Sequence, residues 1–338
     1  MAETSLANRI ASDKPMKPRF WPKRWWMRCL IVFAAVLFLP YISSRIASNW
    51  RTISVYSSAN ADPASRDDNR LRIVSFNIAH GRGVADSNWQ GGTQAERLRR
   101  LKDIAKMLRT TNADVVVLNE VDFETSWSGG VNQAEYLARE AGYPYRVEQR
   151  NLDFRVLLWT WRFGNAVLSR HPIKHVQVVD LPGYSDSETI FAGQKRAFMC
   201  DVEINGRTIR VIAAHLCHRS ERVRTASAEM LGDLSASSDY PTFVVGDLNS
   251  TPTDFPDAVR DETGRNAMES FDSSGRFQRR PESPPTDIRE FTFHTLKPTR
   301  VIDWILIPPD WKYEKYTVDQ SELSDHRLIW AEVTAPNK

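Results

Sequence analysis

From residue 71 onward, short apolar runs alternate with amphipathic stretches, and the two periods assign the elements. "LRIVSFNI" (71–78) and "ADVVVLNEV" (113–121) are apolar almost throughout, as strands covered on both faces should be. Between them "TQAERLRRLKDIAKMLRT" (93–110) has a helical period and opens on Thr93 with Glu96 three residues on, the spacing of a capping box. "NQAEYLAREAG" (132–142) predicts a second helix that stops at Gly142. "FGNAVLSRHPI" (163–173) and "HVQVVDL" (175–181) are expected to pair around a proline turn. "KRAFMCDVEINGRTIRVIAAHL" (195–216) is two strands joined by Asn205-Gly206, a strong hairpin signal. "SERVRTASAEMLGDLSA" (220–236) is a third helix, with Ser220 placed to cap it. "PTFVVGDLNS" (241–250), "TRVIDWILI" (299–307) and "HRLIWAEVT" (326–334) are further strands, and the Pro- and Ser-rich stretch 251–290 predicts long loops. Helices and hairpins both punctuate the strands, so the class is α/β with mixed sheets.

The first 69 residues follow another pattern. The stretch 29–44, beginning "CLIVFAAVLFLPYI", has no charge between Arg28 and Arg45. Its 16 residues fall short of the ~20 that span a bilayer, and extension back through "WWM" supplies the length, with Trp25 and Trp26 at the interface. The preceding segment carries seven Lys or Arg against two acids. That bias predicts a cytoplasmic tail (1–28), a membrane anchor or signal segment (29–44), a linker (45–69) and an exported domain (70–338). A cleaved signal is the rival, with Ala59-Asn60-Ala61 as its site, and a soluble apolar helix a third reading. The linker is clearest at "SSANADPASRDDN" (57–69).

Composition narrows the rest. At 41% hydrophobic and 26% charged over 338 residues the chain is globular. The net +3 hides an asymmetry, because beyond residue 28 there are 38 basic and 40 acidic residues. Such a body lacks the bulk basic excess that a long duplex contact demands. Three cysteines (Cys29, Cys200, Cys217) make no disulfide framework and no zinc spacing, and with Cys29 in the apolar run only Cys200 and Cys217 are left to pair.

A recurrent detail carries the chemistry. Apolar strands run out into an amide, acid or imidazole at Asn77, Glu120, His215, Asp247 with Asn249, and Asp303, and Asp325-His326 opens the last one. Strand ends of a sandwich meet at one rim, so these residues are placed to converge. Carboxylates and amides are hard-oxygen donors suited to Mg²⁺ or Mn²⁺, and histidine beside an acid is the kit of general catalysis. Each residue alone has a bland alternative as a turn cap or packing group. Buried acids such as Glu120 and Asp303 are the costliest to explain that way. His80 and His218 are more often surface or packing residues, and His171, His175 and His294 are read as structural. The aromatic run "LLWTWRF" (157–163) either packs on a sheet or lines a cleft.

Taken in order, "RIVSFNIAHG", "ADVVVLNEVD", "FGNAVLSRHPI", "RVIAAHLCH", "FVVGDLNSTP", "VIDWILI" and "SDHRLIW" resemble the motifs of the endonuclease/exonuclease/phosphatase superfamily, across residues 72–334. The resemblance implies a DNase I-like, four-layer αββα sandwich and a metal-dependent hydrolase of phosphate esters. By position it implies Asn77, Glu120 and Asp325 at the metal, with Glu120 the direct ligand. It further implies Asp247 orienting or deprotonating the water, Asn249 on the phosphate, and His326 as the catalytic imidazole oriented by Asp303. His215 stands where apurinic endonucleases usually have tyrosine, which is similar to the phosphatase, sphingomyelinase and DNase I-like branches, and Arg196 is a further anion contact. One departure is Asn119 before Glu120, where glutamine is common. The substrates this admits are a phospholipid headgroup, a small organophosphate or nucleic acid. The chain is expected to work as a monomer, anchored with its catalytic domain on the non-cytoplasmic side or else secreted. An exported nuclease and a catalytically silent membrane-anchored binding module are the competing readings.

Overall fold

The computed structural model describes residues 24–58, 69–156 and 158–336. Its elements in chain order are α1 (Trp25–Trp50), β1 (Ile53–Ser57), β2 (Arg70–Asn77), α2 (Gln94–Thr111), β3 (Val115–Asp122), α3 (Gln133–Ala141), β4 (Tyr145–Val156), β5 (Trp159–Ser169) and β6 (Ile173–Asp180). They continue with α4 (Asp186–Ala192), β7 (Arg196–Ile204), β8 (Arg207–His215), α5 (Glu221–Ala236), β9 (Thr242–Asp247), α6 (Ala267–Ser273), β10 (Asp303–Leu306), β11 (Lys312–Val318) and β12 (Ile329–Thr334).

The apolar runs lie where alternation sends them. In β3, Val115 and Val117 face the space between two sheets, while Val116 and Leu118 face α2 and α3. In β9, Phe243 and Val245 meet the same inter-sheet core, and Val244 joins Leu231 of α5 and Phe271 of α6 on the outer face. Three buried clusters separate four layers, which is the expected αββα sandwich. One sheet has the order β1-β4-β5-β3-β2-β12-β11 and the other β10-β9-β8-β7-β6. Each holds one parallel pair, β2 with β3 and β8 with β9, amid antiparallel neighbours.

Local chemistry fixes the helix ends, at Thr93, Ser220 and Gly142 as the sequence predicts. Thr93 and Glu96 form the reciprocal capping box, Asn132 and Ser220 cap α3 and α5, and Gly142 closes α3 in the left-handed region. Asn205 and Gly206 both have positive φ, as the tight β7–β8 turn requires.

Two expectations need correction, the β5–β6 pairing and the linker. Residues 163–173 and 175–181 do not pair: β5 belongs to the seven-stranded sheet, β6 to the five-stranded one, and Arg170–Pro172 crosses between them. Ser169 and His171 bond each other around that crossing. The described part of the expected linker is structured, because α1 runs on to Trp50 and β1 pairs with β4. Cys200 and Cys217 are buried free thiols, and Cys200 fills the inter-sheet core. Strand β11 escapes the hydrophobic pattern because an edge strand reading "KYEKYTV" has little to bury. The tail 1–23 and the triplet at 59–61 lie outside the described residues.

The window Trp25–Ser44 of α1, with mean hydropathy 1.9 and no residue buried, is long and apolar enough to cross a membrane or to serve as a signal sequence.

One glycine controls how the sheets meet at the rim. Gly246 in β9 has φ +142°, and a Cβ there would lie 1.9 Å from the Ala214 carbonyl and 3.0 Å from Asn119 Oδ1. Gly246→Ala therefore pushes against backbone rather than a flexible side chain. Its unfolding free energy is expected to fall by about 3 kcal/mol, which a denaturant titration against the parent protein checks.

Candidate active site

Parallel pairing brings strand ends together. In register, Asn77 of β2 lies beside Asn119 of β3, and His215 of β8 beside Asp247 of β9, which also faces Asp303 of β10. Both parallel pairs end at the same rim. The chain entering β12 adds Asp325 and His326, held by Ser324, whose hydroxyl donates to the Asn77 carbonyl (2.7 Å).

Glu120 reaches the cleft through a bulge. Between Leu118 and Val121 the β3–β5 register slips by one residue, and Glu120 takes φ +51°. The extra residue leaves the ladder and turns its carboxylate outward, while Leu118 and Val121 stay on the helix-facing side. Asn119 then spans the sandwich. Its Nδ2 donates to Asn165 Oδ1 (2.8 Å) and to the Ala214 carbonyl (3.1 Å), and its Oδ1 accepts from Asp247 N–H (2.9 Å).

The resulting cleft, about 440 Å³, is lined by Glu120, His215, Asp247, Asn249, Asp325 and His326 among others. Asn77 is fully buried beneath it and donates from Nδ2 to Asp247 Oδ2 (3.0 Å) and Glu120 Oε1 (3.2 Å). His326 Nδ1 is 3.0 Å from Asp303 Oδ2, and its Nε2 looks toward Asp247 Oδ2 at 3.7 Å. His215 Nε2 is 3.5 Å from the same Asp247 oxygen. Asn249, at φ +51°, returns its N–H to Asp247 Oδ1 (3.0 Å) and its side chain to the Leu216 carbonyl.

Arg196 is not brought in. Its guanidinium is bonded to Asp180 and the Arg150 carbonyl, and its neighbour Lys195 lines the cleft instead. Successive residues of an extended chain face opposite ways, so a one-position error inverts the assignment. The cleft also gathers residues that the sequence left unassigned or read as packing. His80 holds Nδ1 at 2.7 Å from Asp122 and Nε2 at 3.3 Å from Glu120, and Arg82, Arg300 and His218 stand nearby. His80 and Ala79 both have positive φ, a tight turn after β2 marked in sequence only by Gly81 and Gly83. His171, His175 and His294 do not line the cleft.

The charges are strongly coupled. Burial opposes ionisation of Glu120, yet His80, His215, Arg82 and His326 together hold its carboxyl well below the usual range. Burial, with the Asp303 and Glu120 charges beside it, pushes Asp247 up to about 7 against the pull of His326. His326 goes the other way. Burial would lower it, but Asp303 and Asp247 raise it to about 10. Burial and the Lys195 charge hold His215 well below its ordinary value, so it is neutral.

These donors fit a hard divalent cation. The carboxylates of Glu120 and Asp325 converge on one cationic group, the Arg82 guanidinium, at 3.1 and 2.6 Å. Two acids aimed at a shared positive charge are oxygen donors of the type Mg²⁺ or Mn²⁺ takes, whereas Asn77, expected at the metal, turns its NH2 to Glu120 and Asp247 and its Oδ1 to the Ala79 N–H, and so orients the acid instead. A second grouping, Asp247, Asp303 and His326, also places ligand atoms within 4.8 Å of one another. There both Asp303 oxygens are on His326 Nδ1 and the residue is fully buried, which fits an orienting acid better than a ligand. A roomier groove of about 970 Å³ beside β1 and α3 holds Arg146, Arg150 and Arg162. Glu148, Asp153 and Glu124 neutralise them, so that groove offers no free anion site.

The sequence profile described as the Endonuclease/Exonuclease/phosphatase family matches residues 74–326. No curated protein sequence matches. Among solved structures, an endonuclease/exonuclease/phosphatase from Beutenbergia cavernae is similar at 20% identity, TM-score 0.58, over 79% of this chain and 72% of that one. A mannosyl-6-phosphatase from Bacteroides thetaiotaomicron is similar at 15% identity, TM-score 0.56, over 78% and 99%. The human nocturnin catalytic domain with bound sulfate is similar at 15% identity, TM-score 0.55, over 83% and 96%. At these identities the structures share the fold.

Proposed function

The chain belongs to the endonuclease/exonuclease/phosphatase family, and from that premise we propose that it hydrolyses phosphate esters with a divalent cation, Mg²⁺ or Mn²⁺, held by Glu120 and Asp325, with Asn77 orienting Glu120. The observation that carries this reading is the meeting of an ionised Glu120, the Asp303–His326 pair and Asp247 in one cleft. When bound, the cation would neutralise phosphoryl oxygens and favour ionisation of water.

The protein's own groups supply the rest. Asp247, once ionised, takes a proton from the attacking water, and Asn77 fixes the carboxylate that does so. The water oxygen forms a bond to phosphorus, the P–O ester bond breaks, and the leaving alkoxide takes a proton from solvent. His326, kept as imidazolium by Asp303, donates from Nε2 to a phosphoryl oxygen as charge builds there. Neutral His215 donates a second N–H, Asn249 borders the same space, and Lys195 adds positive charge at the wall. The basic flank before α1 supports an anchored arrangement, with 1–28 cytoplasmic and the catalytic domain across the membrane.

The test is hydrolysis by the full chain in detergent, with Mg²⁺, Mn²⁺ or EDTA, on p-nitrophenyl phosphodiester, p-nitrophenyl phosphate, phospholipid and plasmid DNA. We expect metal-dependent turnover of at least one ester, abolished by EDTA. A nuclease shows itself by DNA cleavage that falls steeply with salt. Folded protein that neither turns over any ester nor binds metal would overturn the hydrolase reading in favour of a silent binding module.

A further inference from the structure

The aromatic run is not consumed by the sheet core. Its residues 158–163 form the distal end of the β4–β5 hairpin, where Leu158 is 94% and Trp159 50% exposed. Trp89, 65% exposed, packs on Trp159 with ring centroids 6.3 Å apart. Exposing three large apolar side chains together is costly unless something covers them.

The hairpin's direction indicates what does. Arg150 N–H bonds the Thr52 carbonyl, just beyond α1. Farther along β4, Arg155 N–H bonds Ser44 Oγ at 3.0 Å, and Phe154 meets Tyr41 edge to face at 5.5 Å. As β4 advances from 150 to 155, its partner recedes from 52 to 41. The hairpin therefore climbs α1 toward the apolar window that ends at Ser44, and its tip lies beside that window. Arg155 is exposed where that window ends, suited to anionic headgroups.

We propose that the β4–β5 tip with Trp89 is a docking surface for the lipid–water interface of the bilayer that α1 enters, so that the cleft takes phosphate esters presented at that surface. Tryptophan and leucine beside arginine have the chemistry of such an interface. The surface leads directly to the site. Trp89 meets Trp127 edge to face, and Trp127 meets Phe163 at a tilt and His80 edge to face, both of which line the cleft. From Trp159 to Phe163 is four residues of strand, about 13 Å. A tip seated in the interface brings the cleft mouth within reach of headgroups. The docking surface stands on geometry alone, whereas the substrate class rests on the hydrolase reading.

The experiment uses the full chain reconstituted in phosphatidylcholine–phosphatidylglycerol vesicles. An environment-sensitive fluorophore is placed at Leu158→Cys in a Cys29→Ser background, since Cys200 and Cys217 are buried. Glu314→Cys on β11, at the opposite edge of the sheet, is the control. The label at 158 is expected to shift to the blue and to be quenched about twofold by lipids brominated on their acyl chains, with no response at 314. A label at 158 that iodide quenches and bromolipid does not would overturn the docking surface. Shielding from both quenchers would also overturn it, assigning the patch to a protein partner or a second copy. In parallel, Leu158→Glu with Trp159→Glu is expected to lower turnover of vesicle phospholipid about tenfold and leave soluble p-nitrophenyl ester turnover unchanged. Bromolipid quenching with soluble but no lipid turnover would overturn the substrate class. Quenching with no ester turned over would instead retire the hydrolase reading and leave the docking surface standing.

Discussion

His326→Ala is expected to lower ester turnover by roughly 10³-fold while the protein stays folded. The side chain sits at the cleft floor with its Nδ1 on Asp303 and only its Nε2 edge toward substrate. Alanine removes a buried cation together with a donor aimed at the phosphoryl group. It also leaves Asp303 buried without its partner, so the companion variant Asp303→Asn separates the effects. Asparagine keeps the shape and removes the charge that, with Asp247, outweighs burial and raises His326. The sign follows. A base raised to about 10 is protonated throughout the neutral range, and losing its anionic neighbour lets it deprotonate at lower pH. For the parent, kcat/KM should rise as pH climbs through about 7, where Asp247 ionises, and fall through about 10, where His326 loses its proton. These limbs belong to the interacting pair. In Asp303→Asn the alkaline limb should move to lower pH, and the acid limb should move the same way because the Asp303 charge also raises Asp247. Circular dichroism and melting curves distinguish lost chemistry from lost fold, and an alkaline limb unmoved in Asp303→Asn would show that this acid does not govern the imidazole.

Most of this architecture is legible in sequence because covered strands are apolar on both faces and stop abruptly at the rim. The runs ending at Asn77, Glu120, His215 and Asp247 show both where the strands lie and which residues leave them. Caps at Thr93 and Ser220, the stop at Gly142 and the Asn205-Gly206 turn are local and equally legible. The misses are of three kinds. Strand β4, "YRVEQRNLDFRV", hides because a bulge between Arg150 and Leu152 breaks its alternation and its many charged groups, which pair with one another and with Arg162 of β5, mask its apolar face. The assignment of β5 and β6 to different sheets depends on inter-sheet packing, which no local turn signal carries. Among site residues, Arg82, Lys195 and Arg300 come from loops or strand starts with no apolar run to mark them, and His80 depends on a left-handed turn. Asn119 follows the same logic. Its sequence signal is a polar residue in a buried strand, but its role of tying β3 to β8 and β9 exists only once the sheets face each other.

Glu120→Gln carries the other large effect. The carboxylate is ringed by His80, Arg82 and His326, and this cationic surround, acting against burial, keeps it ionised. Glutamine fits the same bulge and removes the negative charge on which these cations converge. With Asp325 left as the only carboxylate facing Arg82, the cation is expected to bind at least about tenfold more weakly and turnover to fall by roughly 10²- to 10³-fold. Raising Mg²⁺ or Mn²⁺ should restore part of the rate in Glu120→Gln but none in His326→Ala, because only the first loss is one of cation affinity. Isothermal titration with Mn²⁺, which does not depend on turnover, checks the binding. Unchanged Mn²⁺ affinity in Glu120→Gln would move the cation to the grouping of Asp247, Asp303 and His326. In that case Asp303→Asn, not Glu120→Gln, would weaken binding, and Glu120 would be a counter-charge that holds Arg82 and His80 in place.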